Sequence, residues 1–335
     1  MFPVALWCFF LDNNTSAIKT VSWGIIGCGL HARKSLIPAL KSCANSKITS
    51  IASTSSKTRD EISRLLPDIR ILHDYNKLLH IEEIDAVLIS TSNHLHPELT
   101  SLALKMGKHV LCEKPLAWIE KDISLIESSL ADSSCLLATG FMYRLHPQIN
   151  YLKKYLVSEK PSELIARFHY PPPGGNNIRT KKDSGGGALL DIGCYLLDLS
   201  RFLFERDPIE MHFSNKINQD HGCDERGRIT LMYDDAEAHL SYSQCLPRDQ
   251  QLQLWGPSTG FTLSSPFLVP RNKHVDIRKT TIEGKTSHIP IPPANSFQLQ
   301  FELFSQSILS GTLLPPLTSG LENAKDLSYF YQQLF

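Results

Sequence analysis

The chain lacks an excess of either charge: Lys and Arg together number 34, and so do Asp and Glu. It also lacks basic runs and stretches where basic and aromatic residues interleave. The field that draws a protein onto nucleic acid or an anionic bilayer is therefore missing, and neither partner is expected. The opening run, MFPVALWCFFLDNN, falls short of the roughly 20 apolar residues that span a bilayer. No Lys or Arg precedes it and no A-x-A-like cleavage site follows, so it does not read as a signal peptide. Residues 1–20 are read as an N-terminal extension, or as a start placed too far upstream.

Cysteine is present, eight in all, but never as a C-x-x-C pair or beside His at zinc-ligand spacing. No metal site is expected. Several cysteines sit in apolar, strand-like runs as small hydrophobes, the pattern of reduced thiols in a cytoplasmic protein.

At 335 residues, with 42% hydrophobic and 20% charged residues, the chain suits a soluble globular protein of two domains. From Val21 to Tyr143, short apolar runs (VSWGII, KITSIAS, IDAVLIST, KHVLCEKP, CLLATGFMY) alternate with amphipathic helical stretches. That rhythm predicts a doubly wound parallel sheet covered on both faces, a Rossmann domain over 21–143. From 144 to 335 the pattern changes to strand-like runs with period-two alternation, including RITLMYD, AEAHLSYSQ and QLQLWGP. It predicts a mostly antiparallel open sheet with helices on one face, an α+β domain for substrate and dimerisation.

Between the first strand and first helix, GIIGCGLHA places Gly27, Gly29 and Ala32 as G-x-G-x-x-A. This is the dinucleotide turn: Gly27 for the tight bend, Gly29 for close approach of a pyrophosphate, Ala32 for helix–strand packing. With Cys28, Leu30 and His31 the turn is a cofactor-binding candidate at a helix N-terminus. The second strand ends in IASTSSKTR. Ser53 and Thr54 stand where an NAD site usually carries an acid for the ribose hydroxyls, and Lys57 and Arg59 follow. NADP(H) is favoured and NAD(H) remains open; the two cations could also be no more than a solvated helix start.

The stretch GGGALLDIGCYLLDL spaces Asp191, Tyr195 and Asp198 as i, i+4 and i+7, one polar stripe on an otherwise oily helix. It either lines a cleft or satisfies itself internally. Asp198 is read as structural, and Asp191 as either a site residue or an anchor for the glycine turn. Lys114, at the end of a parallel strand, faces the ligand crevice. Arg144 and Arg179 are candidates for a polyol or anionic substrate, or alternatively surface ion-pair partners. His94 and His146 are read as loop residues.

Taken in order, GIIGCGLHA, TSNHLHPE, EKPLA and GGGALLDIGCYLLDL resemble the Gfo/Idh/MocA oxidoreductases. The resemblance runs from about Val21 to the C-terminus and is strongest through Asp198. It implies that Thr91, Asn93 and His96 line the cofactor, that Glu113 and Lys114 form the E-K-P motif, and that the Lys114–Pro115 peptide is cis. It further implies hydride transfer between nicotinamide C4 and a carbinol or carbonyl carbon of a sugar or polyol. Asp191 matches the Asp of the family's helix motif. The family's general acid/base, often His, is here Tyr195, as in the glucose–fructose oxidoreductase and dihydrodiol dehydrogenase branch. Lys114 is expected to lower the pKa of Tyr195 and so complete a proton relay with Asp191. A homodimer or homotetramer through the C-terminal sheet is implied too. Redox-assisted glycoside cleavage with retained NAD, a cofactor sensor, and biliverdin-reductase-like activity stay open as alternatives.

Overall fold

The structure, a computed structural model, describes residues 19–172, 174 and 177–334. The expected extension over 1–20 lies outside the described residues as far as residue 18.

The first sheet holds β1 (Val21–Ile26), β2 (Ser46–Ala52), β3 (Arg70–Leu72), β4 (Ala86–Ile89), β5 (His109–Cys112) and β6 (Leu137–Thr139). All pair in parallel, in the order β3-β2-β1-β4-β5-β6. β1 and β4 are buried along their whole lengths, as strands covered on both faces must be. Around them pack α1 (Ile37–Lys41), α2 (Ser56–Leu65), α3 (Tyr75–Leu79), α4 (His96–Lys105) and α5 (Glu120–Ala131). The strand order reverses beside β1, which opens a crevice at the carboxyl ends of β1 and β4.

α6 (Pro147–Leu156) leads to the second sheet, built from β7 (Glu163–His169), β8 (Glu210–Ile217), β9 (Asp224–Met232), β10 (Glu237–Ser243), β11 (Asp249–Trp255), β12 (Thr259–Leu263), β13 (Val275–Thr281) and β14 (Thr286–Ile291). Its order is β14-β13-β12-β11-β7-β10-β9-β8, antiparallel except where β7 meets β10. The expected α/β domain followed by a mostly antiparallel open sheet is therefore the fold.

The β13–β14 hairpin has no counterpart in the sequence reading. Of its strands, VDIRKTT is mostly half-buried, and TSHIPI is mostly exposed and carries Pro290, so neither reads as a run of core apolar residues. Both features suit the edge of a sheet.

α7 (Cys194–Phe204) lies on the inner face, packing Leu196, Leu197 and Leu199 into one core with Ala238, Leu240 and Leu252. Of the chain's last helices, α8 (Ser296–Ser310) returns to β1 and β2 of the first sheet, and α9 (Leu321–Tyr331) packs against α5 and α7. Trp23 of β1 meets Phe301 of α8 edge-on at 5.4 Å and donates from Nε1 to Ser305 Oγ at 3.2 Å. No described helix is long and apolar enough to cross a membrane.

Candidate active site

β1 is followed directly by Gly27, at φ +84°. A Cβ there would stand 2.5 Å from the carbonyl oxygen of Ser90, just past β4, so no larger residue fits the bend. Gly29 is the opposite case: an added Cβ would meet nothing within 4 Å. Its backbone is an open shelf facing the crevice. The helical run that starts at Leu30 and passes through a π-turn (Ala32–Leu36) into α1 leaves its first N–H groups without intrahelical acceptors, which suits a pyrophosphate. Leu30 and His31 are exposed, whereas Cys28 is buried and offers only backbone, burial pushing its thiol up to about 11.

At the end of β2, Ser53 is buried and Thr54 exposed. Ser55 caps α2, its Oγ accepting the Thr58 N–H at 3.2 Å. Arg59 folds back and donates from Nη1 to the carbonyls of Ser53 and Thr54 at 2.8 and 2.9 Å. A guanidinium is thus fixed beside the two hydroxyl residues, with no carboxylate at 53–55. These residues fit a dinucleotide carrying a 2′-phosphate.

Lys114 follows β5, and its peptide bond to Pro115 is cis. Its Nζ donates to the Asp191 carbonyl at 2.6 Å and to Asp191 Oδ1 at 3.0 Å. It also lies 5.1 Å from the centre of the Tyr195 ring. Asp191 Oδ2 accepts from Arg179 Nε at 2.9 Å, from the Tyr170 hydroxyl, and from Gln244 Nε2 at 3.4 Å. Burial disfavours the Asp191 carboxylate, but the Lys114 and Arg179 charges and the Tyr170 hydrogen bond outweigh it and hold the pKa at about 2. Burial likewise opposes the Lys114 ammonium, and the Asp191 carboxylate more than compensates, so its pKa is raised.

Tyr195 is buried among Phe141, Tyr143, Phe168 and Phe267. Its hydroxyl donates to Met142 Sδ at 3.8 Å. Lys114 acts on its pKa in the expected direction, downward, but it is not the larger influence. Burial raises the phenol pKa above its ordinary value, and the Lys114 charge only partly offsets that.

Arg144 is also corrected. It is buried and forms a two-pronged pair with Asp198, Nε to Oδ2 at 2.9 Å and Nη2 to Oδ1 at 2.6 Å. Tyr143 donates to the same Oδ2 at 2.5 Å, and Arg144 Nη1 reaches the Pro316 carbonyl at 3.2 Å. Asp198 is thus a core residue, as expected. The polar stripe splits because residues Leu189–Gly193 form a π-helical turn before α7. That turn sends Asp191 to the crevice and Asp198 inward.

The remaining cofactor candidates divide. His31 Nε2 stands 3.7 Å from Glu113 Oε1 at the crevice. Thr91 is half-buried, its hydroxyl donating to the Ser92 carbonyl at 3.3 Å. Asn93 donates from Nδ2 to the Gly185 carbonyl at 2.8 Å, joining the first-sheet loop to the glycine run. His96 is buried at 1% exposure, and its Nδ1–H donates to the Pro115 carbonyl at 2.8 Å.

The glycine run itself is explained by close approach. Gly185, at φ +74°, packs where a Cβ would meet Trp118 at 2.5 Å and Asn93 at 2.8 Å. Tyr170, Gln244 and Asp224 went unnoticed in the sequence. Tyr170 and Gln244 lie just past β7 and β10, and Asp224 opens β9, so only sheet register gathers them. The sole sequence signal was that each terminates or begins an alternating run. Among the described residues there is no cluster of His, Cys, Asp and Glu able to hold a metal ion.

Residues 21–141 match the family model of the Gfo/Idh/MocA oxidoreductases, described as an oxidoreductase family with an NAD-binding Rossmann fold. Residues 160–261 match that of the GFO/IDH/MocA C-terminal domain. The chain is 33% identical over 305 residues to a dTDP-3,4-didehydro-2,6-dideoxy-alpha-D-glucose 3-reductase of Actinomadura kijaniata, covering 89% of this chain and 91% of that one. It is 27% identical to a D-xylose 1-dehydrogenase (NADP(+)) of Haloferax volcanii, covering 86% and 89%. Among solved structures, a 3-ketoreductase from Actinomadura kijaniata in complex with TDP-benzene and NADP superposes with a TM-score of 0.85 at 24% identity, covering 94% of this chain and 98% of that one. The chain belongs to the Gfo/Idh/MocA oxidoreductase family and carries its NAD-binding Rossmann domain.

Proposed function

We propose that this chain is an NADP(H)-dependent oxidoreductase that moves a hydride between nicotinamide C4 and a carbinol or carbonyl carbon of a sugar-type substrate, with Lys114 and Tyr195 handling the proton. The observation that carries the reading is Lys114, at the crevice end of β5, bonded to Asp191 and set against the Tyr195 ring. The substrate class is supported by the sugar reductase and sugar dehydrogenase among the relatives. NADP is supported by Arg59 and the hydroxyls at the end of β2, and by the NADP named for two of the proteins it resembles.

Gly27, Gly29 and the first helical turn would hold the pyrophosphate, and Ser53, Thr54 and Arg59 the 2′-phosphate. When bound, NADP(H) supplies or accepts the hydride. Lys114 spends N–H bonds on the Asp191 carbonyl and carboxylate, and an ammonium has three, so one stays free for a substrate oxygen. Lys114 and Arg179 against the Asp191 carboxylate leave net positive charge, suited to a carbonyl oxygen gaining negative charge. Tyr195 donates its proton to that oxygen: the phenol O–H breaks as the substrate O–H forms, and Lys114 stabilises the phenolate left behind. A thioether is a weak acceptor, so exchanging Met142 for a substrate oxygen costs the hydroxyl little. Arg179, half-exposed beside Asp191, would orient substrate hydroxyls or an anionic group. The outer face of the second sheet is the proposed self-association surface.

Tyr195→Phe keeps the ring packing and removes the proton. It is expected to lower kcat by about 10²–10³-fold with NADPH affinity, read by nucleotide fluorescence, unchanged. Because the phenol pKa lies above its ordinary value, the acid form persists through neutral pH. Reduction should therefore show no loss of rate from this group below about pH 10, and the oxidative rate should climb with pH. Rate profiles in both directions check this. Arg59→Ala is expected to weaken NADPH about tenfold and NADH hardly at all, measured by the same fluorescence titration.

A further inference from the structure

Asp224 is 1% exposed at the start of β9, and among the described residues its carboxylate has no ion-pair partner. A buried carboxylate without a cation is costly: burial pushes the Asp224 pKa up to about 7, and the backbone N–H donors that converge on it offset only part of that. Here Oδ2 accepts the Leu189 N–H at 2.7 Å, with the Ala188 N–H and Asp224's own N–H also directed at the carboxylate. Leu189 opens the π-turn that carries Asp191, and Ala188 immediately precedes it.

The neighbouring turn is shaped to admit this carboxylate. Gly187 adopts φ +118°, and a Cβ on it would lie 2.1 Å from Asp224 Oδ1. The Gly187 carbonyl then accepts the Asp191 N–H at 3.1 Å and the Gln244 side-chain amide at 3.3 Å. That same amide reaches Asp191 Oδ2. Asp224, at the start of β9, and Gln244, just past β10, thus hold the segment from Gly187 to Asp191, and Asp191 holds Lys114.

We propose that Asp224 is a positioning residue for the reaction: by anchoring the Leu189 N–H it sets where the Asp191 carboxylate, and the Lys114 ammonium bonded to it, stand relative to the substrate. The inference rests on the functional reading above. Asp224 touches neither cofactor nor substrate and acts through Asp191 alone. An amide in its place keeps one acceptor oxygen and turns an N–H₂ toward the remaining donors, so it restores the anchor only in part.

The test compares wild type, Asp224→Asn and Asp224→Ala with NADPH and a panel of keto-sugars, alongside amide hydrogen exchange at Leu189 and urea unfolding. Asp224→Ala is expected to lower kcat by about 10–100-fold, leave KM and NADPH affinity within about threefold, and speed exchange at Leu189. Asp224→Asn should fall between Asp224→Ala and wild type in both kcat and exchange. Wild-type kcat in both variants overturns the inference while leaving the functional reading intact. Equal losses in kcat, NADPH affinity and urea midpoint, with no recovery in Asp224→Asn, overturn it in favour of a purely structural role. A wild type that binds NADPH yet turns over none of the panel overturns the functional reading and this inference with it.

Discussion

Lys114→Ala is expected to lower kcat by about 10³–10⁴-fold, more than any other single change at the crevice. Three losses coincide. The substrate oxygen loses its ammonium donor, Tyr195 loses the cation 5.1 Å from its ring, and among the described residues Asp191 keeps only Arg179 as a cationic partner. NADPH affinity should change far less, because the residues at the pyrophosphate turn and at the end of β2 are untouched. Lys114→Arg should not rescue: a planar fork cannot reproduce three tetrahedral donors aimed at the Asp191 carbonyl, its carboxylate and the substrate. The check is steady-state turnover beside a fluorescence titration. Comparable kcat in wild type and Lys114→Ala would remove Lys114 from the chemistry.

Asp198→Ala is expected to destabilise the fold by about 3–5 kcal/mol, because it strands the Arg144 guanidinium in the core. Arg144 is 9% exposed, with the Pro316 carbonyl as its remaining hydrogen-bond acceptor and Phe202 under its plane at 4.5 Å. Tyr143 loses its acceptor in the same stroke. Replacing both charges, as Arg144→Met with Asp198→Leu, should cost less than Asp198→Ala alone, since no unpaired charge then remains buried. Urea midpoints of the three proteins, with unchanged slope, measure this. A double variant less stable than Asp198→Ala would contradict the argument.

Where a function sits in a short contiguous motif, the sequence made it legible. Gly27, Gly29 and Ala32 stand together because strand, bend and helix follow one another along the chain, and Lys114 was placed by the strand it terminates. The parallel sheet was readable for a similar reason: strands buried on both faces are continuous apolar runs. What went unread depends on distant pairing. Nothing near Arg144 in sequence announces Asp198, 54 residues away, and a buried ion pair looks the same in sequence as two solvated charges. The stripe of Asp191, Tyr195 and Asp198 was laid out on α-helical spacing, and the π-turn at Leu189–Gly193 rotated one member out of register. Tyr170, Asp224 and Gln244 reach the site only through the register of β7, β9 and β10. The Tyr195 pKa was misjudged because the attraction of Lys114 was visible and the surrounding ring of aromatic side chains was not.

One measurement addresses the hydride transfer itself. The protein is given NADPH carrying deuterium at nicotinamide C4 and a panel of keto-sugars and aldoses, and the products are read by mass and NMR. Deuterium on the carbinol carbon of a sugar product, absent when Lys114→Ala is used, is the expected result. Label that stays on the nucleotide with every member of the panel, while the protein is saturated with NADPH, would contradict it.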